Sequence, residues 1–389
     1  MALPLSYNVR NVRARWQVSL LAMTGIALVV TVFVALMAMR TGFEYALRAT
    51  GLPENAVIVQ RGSASELTSW VPLGHRDKLV VDSRVATDAQ GRPLASPEIV
   101  VIGSFPRRSD GAATNVTIRG LTPRAFDVRG GIEIKRGRSF QPGLYEVIVG
   151  ERIAQRVRGL DLGATIPIQR HGWKIVGLFA SRGGAFESEV WGDLDTMAGP
   201  FRRQGGSNSL VVRLKDPSTL DALDHDIRAD PDMQLQAVEE RQYYEEQAGG
   251  LSSTLLFLVR FVCFTMAIGA VFGAMNTMYA IVAARTREIG TLRALGFSRR
   301  SILSSFVLES ILLALVGGLI GCLLAFPLNG FTSASGQTPS FSEVAFAFRV
   351  TPGILVYGVV FAAIMGLVGG LLPSWRATRL PITSALREA

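Results

Sequence analysis

The chain has 389 residues, 49% of them hydrophobic, and carries a formal charge of +9 at pH 7. Its apolar residues are concentrated in four long runs, which is not the pattern of an ordinary soluble protein. Residues 41–250 contain 26 lysines and arginines against 27 aspartates and glutamates, so the positive excess lies outside this block. That distribution argues against a nucleic-acid-binding surface and is typical of loops that flank membrane spans.

The four apolar runs indicate membrane-spanning helices. They occupy residues 17–39, 254–283, 302–327 and 352–372. Because a helix of ~20 apolar residues crosses a ~30 Å hydrocarbon core, each run is long enough to span. We therefore expect transmembrane helices at residues 17–40, within 251–284, at 301–327 and at 351–373. The first run is too long for a signal peptide and is followed by Met39-Arg40-Thr41, which offers no small-residue cleavage site.

The N-terminal residues 1–16 have an amphipathic pattern. Leu5, Val9, Val12 and Trp16 recur at helical spacing, and the arginines at 10, 13 and 15 point elsewhere. This pattern predicts a short helix on the cytoplasmic membrane surface. An ordinary basic leader to the first membrane helix is the alternative.

The block at residues 41–250 has the composition of an α+β domain. Short β-rich runs separated by turn residues occupy 56–60, 98–102, 116–119, 132–135, 147–149, 165–169, 174–179 and 209–214. Helices are expected at 123–126, 151–157 and 217–229. We expect two lobes, whose boundary the pattern does not locate. Both cysteines, Cys263 and Cys322, fall in predicted membrane helices, so no disulfide is expected in this domain.

The second apolar run is too long for the bilayer alone. A continuous helix over residues 251–283 would be ~50 Å long at 1.5 Å per residue. We expect residues 251–284 to form a stalk that leads into the second membrane helix, with Arg260 near the outer end.

Arginines cluster on one side of the predicted spans. They precede the first run, occupy the loop at 285–300 and follow the fourth run, whereas the opposite flanks carry only Arg40, Arg260 and Arg349. The positive-inside rule then places both termini, the 285–300 loop and the 374–389 tail in the cytoplasm. The 41–250 domain and a short loop at 328–350 lie outside. We expect a multi-pass protein of the bacterial inner membrane.

No catalytic, cofactor or metal site is expected on this chain. A Gly-x4-Gly-Lys-Ser/Thr phosphate loop does not occur in the sequence. The three histidines, His75, His171 and His225, are far apart and lack partners at metal-ligand spacing.

The cytoplasmic loop from Ala284 to Arg300 carries the most informative pattern. Ile289, Leu292 and Leu295 recur every three residues, flanked by charged residues. A short amphipathic helix of this kind binds its apolar stripe into a groove on a cytoplasmic partner. The alternative is a basic loop that rests on lipid headgroups.

The same loop resembles the coupling helix of the FtsX/MacB/LolC-type ABC permease family, whose pattern is approximately R-x-R-E-I-G-x-L-x-A-x-G. The matching residues are Arg285, Arg287, Glu288, Ile289, Gly290, Leu292, Ala294 and Gly296. The similarity continues through Leu308-Glu309-Ser310, Gly317, Gly318 and Gly321, and into the tail that starts at Pro373 and includes Trp375, Arg376 and Arg379. Phrases at 120–123, 136–138 and 149–151 resemble a MacB-like periplasmic core domain.

The resemblance implies a role and partners. The coupling residues would be Arg285, Arg287, Glu288, Ile289, Gly290, Leu292, Arg293, Leu295 and Gly296. MacB exporters carry an ATPase domain on the same chain and this sequence has none, so the resemblance implies a separate cytoplasmic ABC ATPase subunit that holds ATP and Mg. Family members move or extract hydrophobic and amphipathic cargo such as lipids, lipoproteins, macrolides and peptides. A periplasmic adaptor and membrane lipid are further partners in such systems.

Two features of the predicted spans have alternative interpretations. Glu309 is an ionisable residue in the third span, and it forms either a proton or substrate site or an ion pair with an arginine of the coupling segment. Three small-residue faces allow close helix packing within or between protomers and favour a homodimer. They are formed by Gly269 with Gly273, Gly317 with Gly321, and Gly366 with Gly370.

Three functions remain open at the level of sequence. The first is export or extraction of cargo, which predicts an exposed apolar groove or loop in the outer domain, with residues 57–59 and 179–186 as candidates. The second is mechanical signalling to an outer partner such as a cell-wall hydrolase, without transport. The third is a membrane-anchored enzyme or adhesin, which leaves the stripe of Ile289, Leu292 and Leu295 without a purpose.

Overall fold

The structure, a computed structural model, describes residues 16–335 and 344–379. The chain divides into two compact units. The spanning unit comprises Met1–Thr41, Ser253–Phe331 and Phe348–Ala389, and the outer domain comprises Gly42–Ser252 and Thr332–Ala347. The amphipathic segment expected at residues 1–16 lies outside the described residues except for Trp16, as do residues 380–389 of the expected tail.

Ten α-helices are found in the described part of the chain. They are α1 Trp16–Arg48, α2 Leu73–Val80, α3 Ala125–Arg129, α4 Glu151–Arg156, α5 Leu194–Ala198, α6 Leu220–Ala229, α7 Glu240–Ala283, α8 Thr286–Ala294, α9 Arg299–Ala325 and α10 Pro352–Thr378. Segments of α1, α7, α9 and α10 are long and apolar enough to cross a membrane. The predicted fold class, four such helices with a large mixed domain between the first and second, is confirmed.

The strands all belong to the outer domain. They are β1 Asn55–Gln60, β2 Val71–Pro72, β3 Ala95–Pro106, β4 Ala113–Leu121, β5 Ile132–Gly137, β6 Glu146–Gly150, β7 Thr165–Ile168, β8 His171–Ser181, β9 Glu189–Asp193, β10 Gly206–Ser207, β11 Ser209–Arg213, β12 Leu235–Glu239, β13 Thr332–Ser335 and β14 Val344–Ala347. All eight predicted strands are present. Six further strands were not predicted: β2, β9, β10, β12, β13 and β14.

One ten-stranded sheet runs through the outer domain. Its order is β12-β1-β11-β3-β4-β9-β6-β8-β5, with β7 paired to β8. The parallel pairing of β4 with β9 joins a half built from β12, β1, β11, β3 and β4 to a half built from β5 to β9. The two expected lobes are therefore halves of one continuous sheet, because hydrogen bonds cross the boundary between them.

The two faces of β1 show how the sheet is covered. Ala56 and Ile58 pack into a core that includes Leu223 of α6, whereas Val57 and Val59 pack into a core that includes Tyr243 of α7. Side chains alternate between faces along a strand, so one strand serves both cores. The first turns of α7 are thus part of the outer domain, although the same helix continues to Ala283.

The segment expected as a short outer loop at 328–350 contains a β-hairpin instead. Strands β13 and β14 pair antiparallel, and the Ala345 amide donates to Ser188 Oγ at 2.8 Å. Arg152 Nη1 donates to the Ala345 carbonyl at 3.3 Å, and Phe346 packs edge-on against Phe43. The hairpin therefore belongs to the outer domain while its two ends continue into the segments that lead to α9 and α10.

Candidate functional site

The coupling segment forms the nine-residue helix α8. Gly296 ends it with a φ of +92°, a left-handed conformation that side chains other than glycine rarely adopt. The Gly296 amide donates to the Arg293 carbonyl and the Phe297 amide to the Leu292 carbonyl, which is the Schellman arrangement of a helix C-terminus. Ser298 Oγ then accepts from the Ser301 amide at 3.2 Å and caps α9. The family pattern thus places its last glycine at a turn that separates two helices.

A buried arginine connects α8 to the third spanning helix. Arg285 Nη1 lies 2.9 Å from Glu309 Oε2 in α9, and Arg285 Nε lies 3.0 Å from Glu288 Oε2. The guanidinium also stacks on the ring of Phe306 at 5.0 Å. Glu309 is 2% exposed, so its charge depends on this cation for compensation. Of the two interpretations of Glu309, the structure supports the ion pair with the coupling segment.

The apolar stripe on α8 is divided between two environments. Ile289 is 1% exposed and packs in a core with Ile302 and Phe306, so the prediction that it faces a partner is wrong. Leu292 is half-buried and Leu295 is 72% exposed. Residues three apart on a helix of 3.6 residues per turn are offset by about 60°, so the stripe turns through about 120° from first to last. Within the described part of the chain, Leu295 at the C-terminal end is the exposed residue of this stripe.

The other motif residues follow the same division. Gly290 is buried, and Arg293 Nη1 donates to the Thr378 carbonyl near the end of α10 at 3.3 Å. Arg287 and Glu288 are exposed. The described part of the coupling segment thus has an inner side held by α9 and α10 and an outer side that carries Arg287 and Leu295.

Four of the six singled-out glycines lie where helices approach closely. A Cβ atom added at Gly317 or Gly321 would lie 2.8 and 2.6 Å from carbonyl oxygens of α1. At Gly366 and Gly370 it would lie 2.5 Å from side-chain Cβ atoms of α9. These distances leave no room for a side chain at the four positions. Glycine at such positions allows the backbones of membrane helices to approach closely.

Gly269 and Gly273 are placed differently. A Cβ atom at either position would have no atom within 4 Å among the described residues. Both glycines line an apolar groove of about 370 Å³ between α1 and α7, together with Gly25, Ala270 and Ala274. Their contact with a second protomer stays a prediction.

The outer domain contains a buried ion network that the sequence analysis did not identify. Arg119 binds Glu189 with two nitrogens at 2.8 and 2.9 Å, and also binds Glu66 and Glu98. Arg129 binds Glu98 with two nitrogens at 3.0 and 2.6 Å and donates a further hydrogen bond to Glu240. We call these six residues the buried ion network: Glu66, Glu98, Arg119, Arg129, Glu189 and Glu240. All six are buried.

Charge is not balanced within the buried ion network. Two guanidiniums face four carboxylates, which leaves an excess of two negative charges if all six groups are ionised. Burial would raise the pKa of Glu98, but Arg129 and Arg119 hold that pKa below its ordinary value. Burial raises the pKa of Glu240, and Arg129 offsets this only in part. The surroundings of Glu240 therefore favour its protonated form relative to a carboxyl group in water.

Glu240→Gln tests this assignment through pH dependence. The raised folded-state pKa means that the stability contributed by Glu240 is present below its ordinary pKa of 4.5 and is lost as pH rises through the folded value. Glutamine does not titrate, so the stability of the variant relative to wild type should increase with rising pH. Urea unfolding of the detergent-solubilised chain, followed by tryptophan fluorescence, measures this slope.

The lowered pKa of Glu98 acts in the opposite direction, because its contribution is lost as pH falls. Measurements above about pH 5 keep Glu98 ionised in both proteins, because its folded-state pKa lies below its ordinary value. A relative stability of Glu240→Gln that decreases as pH rises would contradict the assignment.

The two segments expected as candidates for an exposed apolar surface are not exposed. Val57, Val59, Phe179 and Phe186 are all buried in one core, so neither candidate segment forms an exposed apolar surface. Their high apolar content reflects a sheet covered on both faces. An open groove of about 460 Å³ is found instead between the segment around Leu67 and the middle of β3, with Arg203 at its edge.

Two families match this chain. The MacB-like periplasmic core domain family matches residues 19–230, and the FtsX-like permease C-terminal family matches residues 260–382. The macrolide export ATP-binding/permease protein MacB of Brucella melitensis biotype 1 is 25% identical over 398 residues, which cover 96% of this chain and 58% of that protein. The chain therefore spans little more than half the length of that relative.

A second relative is similar in length. The ABC transporter permease YknZ of Bacillus subtilis strain 168 is 26% identical over 298 residues, which cover 70% of each protein. The solved periplasmic region of MacB from Actinobacillus actinomycetemcomitans aligns with 50% of this chain and 92% of its own, at 12% identity and a TM-score of 0.37.

Proposed function

The chain belongs to the family of ABC transporter permeases with a MacB-like periplasmic core domain and an FtsX-like C-terminal domain, and on that premise we propose that it couples ATP hydrolysis to motion of its outer domain. The helix α8 carries the proposal. It is held to α9 by the pair of Arg285 with Glu309, and it exposes Leu295 and Arg287. An exposed cation in the first turn and an exposed apolar residue at the C-terminal end, on a helix fixed to the spanning bundle, suit docking of a partner that pushes on that bundle.

The partner we propose is a separate ABC ATPase subunit that binds ATP and Mg at its own phosphate loop. The resemblance of α8 to a coupling helix supports this proposal. The arginine-rich segments around α8 and after α10 favour a cytoplasmic location for this face. The chain would then sit in the inner membrane with the sheet domain outside.

A second copy of the chain is the partner we propose for the groove between α1 and α7. The four other glycines of the small-residue faces meet a neighbouring helix within the chain, whereas no described residue lies within 4 Å of a Cβ atom added at Gly269 or Gly273. A second protomer supplies such a helix. A periplasmic adaptor and membrane lipid complete the assembly that we propose.

The proposed activity is export or extraction of a hydrophobic or amphipathic cargo on the outer side of the membrane. The groove beside Leu67 supports this choice, because apolar residues of β3 line it and Arg203 offers a cation at its edge. Lipids, lipoproteins, macrolides and peptides combine apolar and polar parts in this way. Mechanical signalling to an outer partner without transport uses the same coupling and is the alternative.

Affinity purification in mild detergent tests the coupling. Mass spectrometry should detect a P-loop ATPase that co-purifies with the wild-type chain. The amount of this ATPase should fall at least ~10-fold with Leu295→Asp, because a carboxylate replaces an apolar contact in the interface. The matched control is Val81→Asp in the outer domain, where the replaced side chain is 75% exposed compared with 72% for Leu295. Equal recovery with both variants, or no ATPase with wild type, would contradict the proposal.

A further inference from the structure

The longest helix of the chain begins at a buried carboxylate. Glu240 is the first residue of α7, which continues for 44 residues to Ala283 and contains the candidate span Leu256–Ala283. The Glu240 side chain is 0% exposed. A carboxylate is rarely buried so completely unless specific groups compensate it, so its partners indicate its purpose.

Those partners come from two other segments of the outer domain. The Leu52 amide donates to Glu240 Oε2 at 3.1 Å, and Asn55 Nδ2 donates to the same oxygen at 2.8 Å. Both residues lie within a few positions of Arg48, where α1 ends. Arg129 in α3 donates to Glu240 Oε1. One carboxylate thus joins the start of α7, the segment that leaves α1 and the core of the sheet domain.

The backbone at this junction leaves no free space. A Cβ atom at Gly51 would lie 2.6 Å from the Arg241 nitrogen and 2.7 Å from the Glu240 carbonyl carbon. These distances require direct backbone contact between the segment that follows α1 and the first turn of α7. Asn55 strengthens the contact, because its Nδ2 also donates to the Val128 carbonyl at 3.1 Å.

The apolar side of the same turn is fixed as well. Tyr244 packs edge-on against Phe186, and Tyr243 lies in the same core. An acidic residue in a first helical turn often only complements the helix dipole. Here the hydrogen bonds of the carboxylate come from Leu52, Asn55 and Arg129, none of which belongs to α7.

We propose that Glu240 is a positioning residue that fixes the first turn of α7 and the segment leaving α1 to the outer domain, so that displacement of either helix moves this domain as one body. The inference rests on the proposed function only for the source of the displacement, which is ATP hydrolysis by the partner. The attachment itself is a property of this chain, and it can be measured without a partner.

Hydrogen–deuterium exchange of the full-length chain in detergent measures the attachment. In Glu240→Ala, peptides covering residues 49–55 and 240–247 should exchange ~10-fold faster than in wild type, because the Leu52 amide and Asn55 lose their acceptor. Glu240→Gln keeps an acceptor oxygen of the same shape and should restore most of the protection. Peptides from β11 should change little in either variant.

Glu189→Gln is the matched control, because it weakens the same buried ion network at a residue outside α7. It should leave exchange at residues 49–55 and 240–247 close to wild type, apart from changes shared by the whole domain. If Glu240→Ala changes nothing, or raises exchange equally across the domain as Glu189→Gln does, Glu240 is an ordinary core residue and the inference fails.

A second measurement links the attachment to ATP. With the co-purified ATPase, adding ATP and vanadate should change exchange in the outer domain of wild type, and this response should fall at least ~2-fold in Glu240→Ala. An unchanged response in Glu240→Ala would overturn the positioning role. Failure to recover any ATPase would contradict the proposed function. It would not affect the hydrogen–deuterium exchange result for the chain alone, which needs no partner.

Discussion

Arg119→Met is expected to destabilise the outer domain by about 3–5 kcal/mol, which is the usual cost of removing one partner from a buried ion pair. Arg119 lies within hydrogen-bond distance of Glu66, Glu98 and Glu189, so its loss leaves the four carboxylates of the buried ion network with Arg129 as the remaining cation of that network. A domain of this size is stable by only about 5–15 kcal/mol. Urea unfolding of the full chain in detergent should show a much lower midpoint.

The control for this variant is Arg228→Met. Arg228 Nε lies 2.6 Å from Asp224 Oδ2 on the exposed side of α6, and such surface pairs contribute at most about 1 kcal/mol. Equal unfolding midpoints for Arg119→Met and Arg228→Met would mean that the carboxylates of the buried ion network simply take up protons when their cation is removed. The network would then not be a main support of the domain.

Arg285→Met should have the second large effect, in the spanning unit. It removes a buried cation that faces Glu309 at 2.9 Å and also breaks the pair with Glu288. We expect a loss of about 3–5 kcal/mol, seen as a lower thermal midpoint of the helical circular dichroism signal in detergent. Arg287→Met, at an exposed position of α8, should leave the midpoint nearly unchanged.

A double variant separates structural support from coupling. Arg285→Met combined with Glu309→Leu replaces the buried pair by apolar side chains, and such replacements are often neutral or stabilising. We expect stability near that of wild type together with weaker ATPase binding, because the exposed end of α8 loses the contact that orients it. A double variant as unstable as Arg285→Met alone would show that other contacts of these residues dominate.

The arrangement of four apolar helices with a large domain between the first and the second could be predicted from the sequence, because it depends mainly on composition. Apolar runs of membrane length and the arginine asymmetry beside them indicate four spans irrespective of tertiary detail. The eight predicted strands are rich in β-branched and aromatic residues, which fit a covered sheet. The missed strand β12, Leu235–Glu239, is followed directly by Glu240, the first residue of α7, so no turn residue marks its end.

The hairpin of β13 and β14 was missed for a different reason. Its first strand, Thr332–Ser335, is small and polar, its second strand, Val344–Ala347, has only four residues, and the pairing with the outer domain depends on partners far away in sequence. Ala345 is hydrogen-bonded to Ser188, 157 residues earlier, and Phe346 contacts Phe43. Local propensity carries no information about such contacts, so they could not be predicted from a single sequence.

The buried ion network was also invisible to motif reasoning, because its six residues are scattered from Glu66 to Glu240. One signal was available. Arg119 interrupts the apolar strand β4, and Glu98 lies in the apolar strand β3, at positions that pair with neighbouring core strands. Opposite charges inside apolar strands of one domain predict an ion pair in its core, although not its link to α7.

The most direct test of ATPase coupling uses a photo-crosslinking residue, p-benzoylphenylalanine, in place of Leu295 in cells, with the same residue at position 81 as the control. Both native side chains are exposed and apolar, so the substitution is comparable at the two sites. The account predicts that irradiation attaches a P-loop ATPase to position 295 and not to position 81. Crosslinks from position 295 to lipid alone, or to a periplasmic protein, would contradict the assignment of α8 as the coupling helix.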